Sequence, residues 1–174
     1  MDFRLPEEVV DLRKATREVV DQLLTHEPRF VEAGEVPAEV EATLRELGYL
    51  GLTIPEAYGG MGLGTLASCV VLEELGRLPM AFYTSVRGSN SIGSRALVRW
   101  GTEEQRQRWL PGIASGAIIT AFALTEPNAG SDASRIQTTA RKEGNTYYLN
   151  GTKHFITNGH RADLLTVIAY TDRS

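Results

Sequence analysis

The chain has 174 residues, 42% hydrophobic and 23% charged, with a formal net charge of -4 at pH 7. That length holds one ordinary domain or two small ones, and the balance of apolar and charged residues excludes a disordered chain. The acidic balance disfavours nucleic acid, whose phosphates are bound by clustered Lys and Arg, and one cysteine, Cys69, excludes an internal disulfide or a cysteine metal cluster.

The start, Met1 to Pro6, lacks the apolar run of a secretory signal and the Arg-rich character of a transit peptide. No stretch approaches the ~20 apolar residues that span a bilayer, so cytoplasm is the expected location. From residue 6 to about 114 the pattern is helical. Val9, Leu12, Thr16, Val19 and Leu23 recur at steps of three and four behind Pro6, one face of a first helix. A short helix follows Pro37, with Val40, Leu44 and Leu47 on one side. Residues 65–77 form another, carrying Ala67, Val70, Val71, Glu74 and Leu75. A longer helix is expected over about 80–100, weakened by Gly88 and Gly93. Thr102 followed by Gln105 is a capping box that opens a helix to about Ile113.

After Gly116 the period falls from 3.6 to 2. Strands are expected at 118–125, 136–142, 146–149 and 152–157, with turns at Gly144-Asn145 and Asn150-Gly151. A last strand, Leu164 to Tyr170, is apolar on both sides and expected to be buried on both. The fold class is therefore α+β: an all-α domain over 1–116, then an antiparallel β-meander or barrel over 117–174.

The chemistry concentrates in two segments of the second half. Thr125-Glu126-Pro127-Asn128-Ala129-Gly130-Ser131-Asp132 ends a strand, because Pro127 lacks an N–H and disfavours helical geometry at Glu126. The small residues then permit a tight turn whose successive N–H groups, with the Ser131 hydroxyl, form an anion-binding concavity. Taken alone, the segment is better explained as an ordinary turn. Glu126 and Asp132 would repel a phosphate and are read as acceptors that shape the turn. In the second segment, Lys153 to Gly159, strand alternation would put Phe155 and Thr157 on one face, a ring beside a hydroxyl.

Together these segments resemble the acyl-CoA dehydrogenase family. Ala123 to Asp132 is similar to that family's signature, and Phe155-Ile156-Thr157-Asn158 to its second flavin segment. Ile54 to Gly60, Gly101 to Arg106 and Leu110-Pro111 extend the resemblance over nearly the whole chain. Arg135 departs from the signature, which has a small residue there, and is expected to reach solvent. The resemblance implies FAD, with Phe122, Leu124 and Thr125 along the flavin and Gly130 and Ser131 near the pyrophosphate. Phe155, Ile156 and Thr157 would lie against the ring system, and Ser131 would also touch the acyl-CoA substrate.

The implied activity is α,β-desaturation of an acyl-CoA thioester, with an electron-transferring flavoprotein as acceptor and a homotetramer or dimer as the assembly. The family's catalytic base is a glutamate of a C-terminal helical domain, expected beyond residue 174, so no catalytic residue is assigned within the chain. A truncated frame is the plainest account of the length, and the chain alone is expected to bind FAD weakly without turnover. Two alternatives stay open: a flavin oxidase or monooxygenase on the same scaffold, and a non-catalytic partner subunit. Arg87, in a small-residue stretch, is a candidate contact for a polar or carboxylated acyl chain, against the plainer reading of a solvated helix face. Gly59 to Gly64 lacks dinucleotide-motif spacing and reads as a flexible connector, His26, His154 and His160 lack metal-ligand spacing, and Cys69 reads as a buried thiol.

Overall fold

The computed structural model describes residues 3–172, and the chain divides after Ala117 into a helical unit and a β unit. Helix α1 (Glu7–Leu24) begins behind Pro6 with Glu7 and Glu8 in its first turn, where acidic side chains meet the positive end of the helix dipole. It buries Val9, Thr16, Val20 and Leu23, so the inward face lies one position beyond the expected Val19. Helix α2 (Glu27–Ala33) was not foreseen; α3 (Ala38–Glu46) follows Pro37 and buries Val40 and Leu44. Helix α4 (Thr65–Leu75) packs against α1. Its buried Glu74 accepts bonds of 3.0 and 2.6 Å from the Arg17 guanidinium of α1. That pairing holds the Glu74 carboxyl below its ordinary pKa and satisfies a charge on an otherwise apolar face.

The expected helix over 80–100 is broken. Helix α5 (Met80–Arg87) is kinked at Tyr83, a π-helical turn spans Gly88–Gly93, and α6 (Arg95–Trp100) continues. Helix α7 (Glu103–Ala114) opens with the expected capping box: Thr102 Oγ1 accepts from the Gln105 amide at 3.2 Å and Gln105 Oε1 from the Thr102 amide at 2.9 Å. The core joins Val20 and Leu23 of α1, Val40 and Leu44 of α3, Val71 and Leu75 of α4 and Phe82 and Val86 of α5. Each such side chain contributes about 1.5–3 kcal/mol on leaving water. Among the described residues no helix is long and apolar enough to cross a membrane.

In the β unit, β1 (Thr120–Ala123) pairs with β4 (Leu164–Val167), and β2 (Thr139–Glu143) with β3 (Thr146–Asn150). The β2–β3 hairpin turns at Gly144-Asn145, as expected, with Thr139 opposite Asn150 and Glu143 opposite Thr146. The β1–β4 pair is parallel, Thr120 opposite Leu164, which corrects the wholly antiparallel meander. The strand expected at 152–157 does not form. Phe155 and Asn158 have φ of 55° and 62°, outside extended geometry, and a turn follows. Residues 124–163 thus act as the long crossover that parallel neighbours require. β4 is only half-buried, with Leu165 44% exposed, so it is not covered on both sides. Beyond β4 the chain bridges the two pairs, Tyr170 O accepting from the Ala140 amide at 2.8 Å and Thr138 O from the Tyr170 amide at 2.9 Å.

The glycine-rich run after Ile54 is pinned rather than flexible. The amides of Met61, Gly62 and Leu63 donate to the carbonyls of Gly51, Ile54 and Leu52 at 2.8, 2.9 and 2.7 Å. A Cβ on Gly60 would stand 2.0 Å from the Ile54 carbonyl oxygen, so only glycine fits. Gly60→Ala is expected to cost about 3 kcal/mol through this overlap. Urea unfolding measures it, and an unchanged midpoint would show that the loop opens freely.

Candidate functional site

The two chemistry-bearing segments converge within the β unit. The His154 amide donates to the Thr125 carbonyl at 2.8 Å. Beside it, Lys153 Nζ donates to the Leu124 carbonyl at 2.9 Å and to Glu126 Oε1 at 2.8 Å. The end of β1 and the segment leading to Phe155 are therefore bonded side by side through both main chain and side chain.

Glu126 is the hub of this junction. Its Oε2 accepts from the Gln137 amide at 2.5 Å; its Oε1 accepts from the Thr138 amide at 2.9 Å and the Thr138 hydroxyl at 2.5 Å, in addition to Lys153. The side chains of Glu126 and Lys153 are 4% and 11% exposed. Burial pushes the Glu126 pKa up, but the bonds from Lys153, Thr138 and the two amides outweigh it and hold the pKa at about 2. A carboxylate so bound shapes the turn and neither takes nor gives a proton near neutrality. Lys153 and Thr138 had not been singled out in the sequence. A buried-carboxylate partner cannot be identified there, because Glu126 and Lys153 are 27 residues apart.

The turn itself closes by reciprocal bonds, Glu126 amide to Ala129 carbonyl at 2.8 Å and Ala129 amide to Glu126 carbonyl at 3.2 Å. Gly130 and Ser131 come next and are exposed. Among the described residues their N–H groups donate to no protein acceptor, which leaves two adjacent donors for an anion. Gly130 does not adopt a positive φ; no atom lies within 4 Å of the position its Cβ would take, so its contribution is open space. Asp132 accepts from the Ser134 hydroxyl, and Arg135 is exposed, as expected.

Phe122, on β1 opposite Thr166, is half-buried, as are Leu124, Thr125 and Ile156. Thr157 is exposed, and Phe155 is 93% exposed, its ring edge-on to that of His154 with centroids 5.7 Å apart. Phe155 and Thr157 thus do not share a strand face; Phe155 is itself left-handed, and Thr157 directly precedes the left-handed Asn158. A bulky residue held at positive φ costs about 1–3 kcal/mol, and such outliers concentrate at functional positions. Among the described residues, no hydrogen bond joins Gly130 or Ser131 to 153–157. Arg87 lies in the other unit, on α5.

Stability should follow the ionisation of Glu126. With its folded pKa depressed from 4.5 to about 2, the stabilisation is complete above pH ~4.5 and is lost as pH falls through about 2. Acid titration followed by Tyr fluorescence is expected to show this loss, and Glu126→Gln to flatten it. Glu126→Gln should also lower Tm well beyond Asp11→Asn at the exposed Asp11–Lys14 pair, because it strands the buried ammonium of Lys153.

Residues 6–117 match the N-terminal domain of acyl-CoA dehydrogenases and residues 121–174 the middle domain. The chain is 39% identical to the acryloyl-CoA reductase (NADH) of Anaerotignum propionicum over 99% of its length and 44% of that protein's. It resembles a glutaryl-CoA dehydrogenase of Mycobacterium smegmatis solved in complex with FADH2, with a TM-score of 0.86 and 35% identity over 97% of this chain and 44% of that one. It resembles equally a chain of a structure described as the electron transferring flavoprotein of Acidaminococcus fermentans, with a TM-score of 0.86 and 38% identity over 99% of this chain and 46% of that one. The chain thus spans less than half the length of these relatives. Matched from residue 6 to its last residue by two successive domains, the chain belongs to the acyl-CoA dehydrogenase family.

Proposed function

We propose that the β unit holds FAD and that the chain forms the flavin-binding part of an enzyme that desaturates an acyl-CoA thioester between its α and β carbons. The observation that carries this reading is the junction of Thr125 with His154, which sets the anion-ready turn and the exposed Phe155–Thr157 turn on one bonded frame. The residues fit the group. Gly130 and Ser131 offer two uncommitted amides and a hydroxyl to a pyrophosphate. Phe155 offers a bare ring, and Phe122, Leu124 and Ile156 offer half-buried apolar surface. Flavin, when bound, supplies a two-electron acceptor for hydride. The Thr157 hydroxyl is available to orient it, and Ser131 to touch the thioester ligand.

The general base is not Glu126, whose lone pairs are committed to Lys153, Thr138 and the Gln137 amide. We place that base, electron transfer to an electron-transferring flavoprotein and assembly into a homo-oligomer in the whole protein. Two solved relatives support the flavin and the acceptor: one contains FADH2 and another is described as an electron transferring flavoprotein.

Titration of the 174-residue chain with FAD, read by flavin fluorescence and visible absorbance, is expected to show weak saturable binding without acyl-CoA turnover. Phe155→Ala and Ser131→Ala should each weaken it about tenfold, or about 1.4 kcal/mol. Binding that neither substitution changes would place the flavin elsewhere and refute the reading.

A further inference from the structure

The β2–β3 hairpin leaves one edge open. The Ala140 amide donates to the Tyr170 carbonyl, so Ala140 turns its main chain away from β3. Its cross-strand partner is Leu149, and that pair is therefore a non-hydrogen-bonded one. Such pairs alternate along an antiparallel ladder, so Tyr147, opposite Lys142, is in the same state. The N–H and C=O groups of Tyr147 and Leu149 thus point outward, and among the described residues they meet no main-chain partner. The side chains are as bare as the backbone: Tyr147 is 57% exposed, Tyr148 51% and Leu149 58%. Consecutive large apolar residues beside unpaired main-chain groups make an edge that another strand can complete.

The residues of this edge favour their own copy. β3 reads Thr146-Tyr147-Tyr148-Leu149-Asn150, without a charged residue. Set antiparallel to itself about Tyr148, it puts Tyr147 opposite Leu149 of the second copy and Thr146 opposite Asn150. The outward groups of Tyr147 and Leu149 then satisfy one another across the junction. Residues two apart share a face, so Tyr147 and Leu149 of both copies gather into one apolar cluster. Tyr148 meets its own copy in a non-hydrogen-bonded pair, the kind in which side chains come closest. The rings are braced from the hairpin side, with Arg141 5.6 Å from the centre of the Tyr148 ring and Lys142 5.5 Å from that of Tyr147. β2 offers no such edge. Pairing it with itself about Arg141 would oppose like charges, and Tyr170 already takes its outer side at Ala140. Association through β3 therefore closes at two chains and does not run on into a filament.

We propose that two copies of this chain pair through β3, antiparallel about Tyr148, into a continuous β2–β3–β3–β2 sheet. The pairing rests on the hairpin alone and draws neither on the flavin reading nor on the assembly of the whole protein.

Sedimentation equilibrium of the 174-residue chain without FAD, joined to amide hydrogen exchange, tests it. A reversible monomer–dimer equilibrium is expected, with exchange at the Tyr147 and Leu149 amides slowing as concentration rises through the transition. Tyr148→Glu should weaken the dimer about tenfold or more, because it sets like charges directly opposite each other while facing Arg141 favourably within its own hairpin. Tyr148→Lys should weaken it likewise, and an equimolar mixture of the two variants should dimerise again. A variant that merely misfolds would not be rescued by mixing. A wild-type chain that stays monomeric across the micromolar range overturns the proposal. So does a dimer whose Tyr147 and Leu149 amides exchange at a rate independent of concentration, or a mixture of variants no more dimeric than either alone.

Discussion

The β unit depends on one buried ion pair. Glu126 and Lys153 come from segments that the chain order keeps far apart, and no sheet hydrogen bonding joins them directly. Left unpaired, either charge would be costly in so enclosed a position. Paired with each other and with Thr138, Gln137 and the Leu124 carbonyl, they form a polar network whose members are satisfied together. Such a network tolerates little displacement, so the turn after β1 and the turn at Phe155 hold a fixed relation. A ligand that needs both requires that relation before it arrives.

The helical unit solves a similar problem with neutral groups. A π turn flanked by glycines would be a weak point in an otherwise regular helix. Asn90 stabilises it by spending its amide on carbonyls and an N–H from the neighbouring loop, so the irregular backbone is satisfied from outside the helix. The irregular turn leaves intact the core in which Phe82 and Val86 are buried just upstream. The contact that permits the irregular turn also holds the Leu52–Thr53 segment beside it.

Where reading the sequence failed, the physical reasons are specific. Strand alternation over 152–157 was present in residue type, yet the left-handed backbone at Phe155 and Asn158 makes turns of it. Periodicity reports which side chains are apolar and says nothing of φ. Asn150-Gly151, a strong hairpin dipeptide, makes no hairpin because β3 already pairs with β2. Gly151 instead passes so close to Thr138 that a Cβ would stand 2.3 Å from its hydroxyl. Cys69, read as buried among Val70, Val71 and Leu72, is exposed, because α4 turns its other side to α1. The apolar residues of α4 are spread around the helix among Thr65, Ser68, Glu73 and Glu74, so only its neighbours decide which side is covered.

What the residues determined by themselves was local: helix starts at Pro6, Pro37 and the Thr102–Gln105 box, the Gly144-Asn145 turn, the change of period near 116, and the family signature around Thr125. Each of these is set by interactions within a few positions, and such interactions are readable in one dimension. Tertiary structure alone decided the parallel β1–β4 pairing, the Glu126–Lys153 bond and the exposure of Phe155. These are contacts between distant segments, whose cost in chain entropy is repaid only when the whole unit closes, and no short window of sequence carries that balance.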